Sequence, residues 1–201
     1  TIMYILSDVP KDILDKLDKI INKKNKPAYN QKLAGSIKNE FGIKEGISII
    51  SPFLMQMVKA HGEKHPGYIK KAHSMFNYKT IDIELFDLWV NFQKKYEFNP
   101  PHVHDGLFSF VIWHKVPYLL KDEKANFPNM TAKNQKAGQF GFLFSAPDGR
   151  LHTEDLPVDK EWEGKIALFP ADLNHMVYPF YTSDEYRISI SGNLGFKTSD
   201  K

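Results

Sequence analysis

The chain has no cysteine among its 201 residues. Disulfides, thiolate metal sites and cysteine nucleophiles are therefore excluded, and any bound metal must use histidine, carboxylate or backbone ligands. No apolar run approaches the ~20 residues needed to span a bilayer. The first residues lack the basic-then-apolar layout of a signal peptide, so the expectation is a cytoplasmic protein with no membrane partner. Charge of one sign is also scarce, with 27 Lys and Arg against 24 Asp and Glu, a net charge of +3. The lysines are spread along the chain, which reads as a solvated surface and not as a nucleic-acid face. Phosphate-loop and nucleophile-elbow patterns are absent, as are internal repeats and low-complexity segments.

Aromatic residues are plentiful, with 15 Phe and 9 Tyr, and they concentrate after residue 76, which favours β structure there. Residues 1–75 read as helical. A helix starts at Asp8-Val9-Pro10 and carries Ile13, Leu14, Leu17, Ile20 and Ile21, ending by Lys26-Pro27. A second is predicted from Tyr29-Asn30 through Leu33, Ile37 and Phe41. A third runs from Ser51-Pro52 to just before His65-Pro66-Gly67, and a short one spans about 67–75. From residue 76 the period changes. Strands are predicted at Phe86 to Phe92, Leu107 to Val116, Gln139 to Ser145, Lys165 to Phe169, Met176 to Phe180 and Arg187 to Ser191, with a turn at Pro147-Asp148-Gly149. Residues 119–138 read as a long polar loop, a lid or a mobile connection. The expected fold is mainly β with N-terminal helices, a two-sheet jelly roll. Residues 1–75 would pack as a helical region on a barrel of residues 76–201, one compact unit overall. Those helices could support a homodimer or simply cover a sheet.

Asn99-Pro100-Pro101-His102-Val103-His104-Asp105-Gly106 is the most informative stretch. Side chains two apart on a strand share a face, so His102 and His104 converge. The two prolines place them near a strand end or sheet rim, where a site stays open. His175 could complete a metal site. Arg187, flanked by Tyr186, Ile188 and Ile190, suits a carboxylate clamp, because guanidinium offers a planar two-point match. If the following hairpin pairs residue 187 near residue 179, His175 and Arg187 lie roughly 13 Å apart along neighbouring strands. They then share a face only if the connection is odd in length or bulged. Ser109, Trp113 and Asn91 are candidate pocket residues by strand parity, with core packing the competing reading for Trp113. His114 has the opposite parity. His61-Gly62-Glu63-Lys64-His65 reads as surface, since Glu63 is misplaced for a zinc-protease motif.

Trp89-Val90-Asn91-Phe92, the His102 segment, Ser109-Phe110-Val111-Ile112-Trp113 and Val116-Pro117-Tyr118 resemble uncharacterised 2-oxoglutarate/Fe(II) oxygenase-like proteins frequent in phages of marine bacteria. Leu168-Phe169-Pro170, His175, Val177-Tyr178-Pro179-Phe180 and Arg187 to Asn193 continue the resemblance, which covers about residues 85–194. It implies a double-stranded β-helix with Fe(II) at its open end. It also implies 2-oxoglutarate as cosubstrate, chelating iron and meeting Arg187 and Ser189, and a host-cell cytoplasm for a phage-encoded chain. The superfamily usually shows His-x-Asp or His-x-Glu before its distal His, whereas His104 occupies the carboxylate position here. Alternation puts Asp105 on the other face, which favours His104 as the ligand. The leading expectation is a dioxygenase hydroxylating a small-molecule or peptidyl substrate. The alternatives are a three-histidine cupin-type metalloenzyme without 2-oxoglutarate and a non-enzymatic virion-associated jelly-roll module.

Overall fold

A computed structural model describes residues 2–76, 78–126 and 135–198. The chain begins with β1 (Ile5–Asp8) and α1 (Lys11–Ile21). Pro10 precedes the first turn of α1 with extended φ −53° and ψ 136°, and Asn22 closes the helix by returning both its backbone N–H and its side-chain amide to Asp18 O. Leu17, Ile20 and Ile21 are its buried face. β2 (Asn39–Gly42) and α2 (Ile47–Lys64) follow, then α3 (Tyr68–Phe76). The remaining elements are β3 (Ile83–Gln93), β4 (Asn99–His102), β5 (Phe108–Lys115), α4 (Leu120–Asn126), β6 (Phe140–Ser145), β7 (Leu151–Leu156), β8 (Lys165–Pro170), β9 (Asn174–Val177) and β10 (Arg187–Phe196).

All named strands pair antiparallel. They form a six-stranded sheet in the order β1-β8-β5-β10-β3-β2 and a four-stranded sheet in the order β4-β9-β6-β7. Alternation divides the large sheet into two faces. Leu88, Val90, Phe108, Phe110, Ile112, Ile166, Leu168 and Ile190 join the buried residues of α1 and α2 in an outer core. The opposite face of β5 and β8 gives Val111, Trp113, Ala167 and Phe169 to an inner core shared with Phe140 and Phe142 of the small sheet. A jelly roll with helices outside it is therefore the architecture, as the strand spacing predicts.

Residues 1–75 differ from the predicted all-helical region. They supply both edge strands of the large sheet, β1 on β8 and β2 on β3. The predicted helix over Leu33, Ile37 and Phe41 is a short 3-10 turn at Asn30–Lys32 followed by β2. The Asn30 side chain donates to the carbonyls of Ile37 and Lys38, which fixes a loop where a helix would need those groups for itself. The 119–138 connection contains α4. The middle of that connection, residues 127–134, lies outside the described residues.

Candidate metal centre

His102 and His175 are direct cross-strand partners on β4 and β9, and such pairs hold their Cβ atoms about 4.5–5.5 Å apart. The β4 register shifts between Asn99 and His102, because Pro100 and Pro101 have no N–H for the ladder. His104 lies just beyond the end of β4. Its backbone N–H donates to Ala171 O at 2.9 Å, and Ala171 N–H donates to Leu107 O at 3.1 Å. That clamp swings His104 back toward the other two imidazoles. Candidate ligand nitrogens of His102, His104 and His175 all lie within 4.8 Å of one another. Their ring centroids are 4.2–5.0 Å apart. Asp105 is exposed and faces an outer groove.

The ring environments suit a cation. Nδ1 of His102 lies 2.7 Å from Pro100 O and Nδ1 of His175 2.9 Å from Leu173 O. Nδ1 can only donate to these carbonyls, which leaves each Nε2 with its lone pair for a metal. Burial lowers the His102 pKa and, reinforced by the neighbouring His102, brings that of His104 down to about 4. His175, the most deeply enclosed, is held well below the ordinary histidine value by burial first and then by the other two rings. Three neutral imidazoles of this kind are a ligand set for a borderline divalent ion such as Fe(II). They would leave a bound ion one charge more positive than two histidines and a carboxylate would.

A cavity of about 40 Å³ adjoins the trio, walled by Trp89, Asn91, Phe169, Val177, Ser189 and Ser191 among others. Asn91 Nδ2 donates to Ser189 Oγ at 3.2 Å, while Asn91 Oδ1 is buried without a partner. Ser189 therefore keeps its own hydroxyl proton to give. Ser109 and Trp113 are not in this wall, a correction to the parity reading. Ser109 donates to Asn193 Oδ1 at 2.8 Å, and Trp113 packs edge-on against Phe140 and Trp162 in the inner core.

Arg187 sits farther down the inner face of β10, only 3% exposed. All five of its N–H donors have acceptors. They are Gln93 Oε1 (2.9 Å from Nε and 2.5 Å from Nη2), Tyr118 Oη (2.6 Å), Gly138 O (2.9 Å) and Tyr178 O (3.2 Å). None is a carboxylate. Asp184 and Glu185 pair instead with Lys95 and Lys115. The predicted hairpin between β9 and β10 does not form, because the two strands belong to different sheets. Their side chains approach across the interior, and no odd loop or bulge is required. His114 is outside the trio and meets Asp18 at 2.7 Å. His61 is not at the surface. It is fully buried on α2, its Nε2 3.0 Å from Met3 O and its ring against Phe108 and Tyr68.

Gln93 lies outside every motif of the sequence, and Tyr118 enters only as the end of Val116-Pro117-Tyr118, with no site role attached to it. Gln93 continues the parity of Asn91, and that was its only signal. Buried Glu123 of α4, which accepts from the backbone N–H groups of Tyr181 and Thr182, had none.

Solved structures with this fold include a Pseudomonas putida prolyl-4-hydroxylase (TM-score 0.51, 13% identity, covering 98% of this chain and 94% of that one). A 2OG-Fe(II) oxygenase family oxidoreductase from Burkholderia pseudomallei is also similar (TM-score 0.52, 12%, 96% and 84%). So is a viral collagen prolyl hydroxylase from Paramecium Bursaria Chlorella virus-1, solved with 2-oxoglutarate (TM-score 0.51, 12%, 96% and 95%). No curated protein matches the chain. Residues 87–193 match the family model described as "Putative 2OG-Fe(II) oxygenase", a segment that runs from β3 to β10 and holds the histidine trio and Arg187. The chain therefore belongs to the 2OG-Fe(II) oxygenases, oxidoreductases whose cofactors are iron and 2-oxoglutarate.

Proposed function

We propose that His102, His104 and His175 hold Fe(II) in this chain, and that the enzyme hydroxylates a small-molecule or peptidyl substrate at that centre. The prolyl hydroxylases among its structural neighbours lend weight to a peptidyl substrate. Iron with 2-oxoglutarate supplies the oxygen chemistry. The protein's part is to place, neutralise and shield.

The observation that carries this reading is a buried guanidinium that pairs with no carboxylate among the described residues, set on the inner face of β10 that also lines the cavity beside the trio. Ser191 lines the metal-side cavity, and Arg187 lies four residues earlier on β10, about 13 Å along the strand. Ser189 and Asn91 stand between them. Burying a cation among neutral oxygens alone is costly. A dicarboxylate reaching from the trio would give Arg187 its missing anion and take the proton of Ser189. It would displace the carbonyls of Gly138 and Tyr178, exchanging neutral acceptors for a charge-assisted pair.

Replacing Arg187 by Ala tests this directly. Truncating one partner of a buried charged pair costs about 2–5 kcal/mol. Calorimetry on the Fe(II)-loaded protein should show 2-oxoglutarate affinity falling at least 30-fold, with Fe(II) affinity unchanged. Equal 2-oxoglutarate affinity in the variant would reject the assignment.

A further inference from the structure

His104 forms a wall of two spaces. One is the small cavity beside the trio, and the other is an outer groove of about 530 Å³ that it shares with Asp105, Gly106, Phe86 and Phe196. The groove continues past Phe76, Gly106, Leu107 and Asp172 into a second depression of about 900 Å³ along α3. Tyr68 Oη donates to Leu107 O at 3.0 Å, pinning α3 to the turn that follows His104 and making the wall continuous.

The floor of this groove is built. Gly106 has φ +99°, and a Cβ there would stand 2.6 Å from Leu194 O and 2.9 Å from the Phe86 ring; one on Gly195 would meet the same ring at 3.0 Å. Two glycines thus make room for the Phe86 ring in the groove beside His104. Phe86 nonetheless remains 37% exposed, with Phe76 at 65%, Met75 at 69% and Tyr78 at 36%. Scattered exposed apolar residues need no explanation, but a set gathered along one groove that His104 walls does.

Charge is divided along the groove. Glu84 and Asp105 lie in the half beside His104, Lys64 and Lys71 in the half along α3, and Asp172 at the junction of the two. Among the described residues none of the five takes part in an ion pair.

We infer that this groove binds a polypeptide substrate in extended form, with a basic residue beside the oxidised one, an apolar or aromatic stretch over Phe86, Phe76 and Tyr78, and an acidic residue toward Lys64 and Lys71. The inference rests on the oxygenase reading above and gives its substrate a class. Small ligands are held in enclosures that bury about 70–90% of their surface. An open trough with exposed walls and two oppositely charged ends gives no such enclosure. It matches a chain that runs past the metal and lowers a single side chain toward it.

The test uses protein loaded anaerobically with Fe(II) and 2-oxoglutarate, probed with immobilised synthetic decapeptides of the pattern basic, apolar, acidic. Controls carry reversed charges or serines in place of the apolar stretch. Wild-type protein should retain the patterned peptides at least tenfold better than either control. Phe76→Ser with Tyr78→Ser should abolish that preference, and Lys64→Glu with Lys71→Glu should shift it toward the charge-reversed set. These positions are on the surface, and the absorbance of the iron–2-oxoglutarate complex reports that the centre is intact in each variant. Equal retention of patterned and control peptides would overturn the proposal, as would retention indifferent to Phe76 and Tyr78. Absence of the iron–2-oxoglutarate signal in wild-type protein would count against the oxygenase reading, a failure read separately from peptide retention.

Discussion

Glu40 stands on the inner face of β2, directly opposite Asn91, and is 3% exposed. One carboxyl oxygen accepts from Asn30 at 3.2 Å, and the other is buried without a partner. Burial, with the nearby Glu97 adding to it, pushes its pKa up to about 7. The unfolded chain ionises this group near 4.5, so between 4.5 and 7 the folded state holds a proton that the unfolded state has lost. Its stabilising effect is complete below 4.5 and is lost as pH rises through 7. Glu40→Gln should therefore match wild type at pH 4 and exceed it at pH 8 by on the order of 2–3 kcal/mol. Urea unfolding at the two pH values checks this, and parallel pH profiles would contradict it. The same residue shows where the sequence is silent. His102 and His104 were legible because a two-residue period predicts convergence without knowledge of the fold. Glu40 was hidden inside a run whose Leu33, Ile37 and Phe41 mimic a helical period. Gln93 and Tyr118 reach Arg187 from separate parts of the chain, and no local spacing announces them.

At the scale of elements, β10 carries the most weight, because it pairs with both β3 and β5 in the middle of the large sheet. Gly192 is its tightest point. A Cβ there would lie 2.5 Å from Asp87 O and 2.7 Å from the Phe110 ring. The carbonyl belongs to a paired strand and cannot yield, so Gly192→Ala should cost about 1–3 kcal/mol. The urea midpoint should fall accordingly, and an unchanged midpoint would mean that β3 and β10 are not so closely apposed. Strands with long apolar runs or clear alternation, such as β3, β5 and β8, were legible. β7 was not, because Leu151-His152-Thr153-Glu154-Asp155 is an exposed edge whose composition reads as a loop. The His175–Arg187 relation differs from the expected hairpin for a topological reason. Strands adjacent in sequence often pair, but the chain changes sheets between β9 and β10.

For the molecule as a whole, the proposed metal centre is where the two sheets meet. His102 and His175 come from the small sheet, Trp89 of the large sheet lies 5.4 Å from His104, and Ser191 lines the same cavity. A bound ion would tie these parts together in the folded state only. Fe(II) at 100 times its Kd should stabilise the protein by about 2.7 kcal/mol, seen as a rise in Tm that His175→Ala abolishes. The sheet order, the exchange of edges with the N-terminal segment and the groove along α3 all depend on contacts distant in sequence, which is why composition and period revealed the jelly roll but not its edges. This histidine trio and Arg187 are proposed together to seat iron and 2-oxoglutarate. An anaerobic absorbance titration with Fe(II) and then 2-oxoglutarate would decide it. A visible charge-transfer band that needs both additions, and that is lost in His175→Ala, is the predicted result. Tight Fe(II) binding with no band on adding 2-oxoglutarate would contradict it.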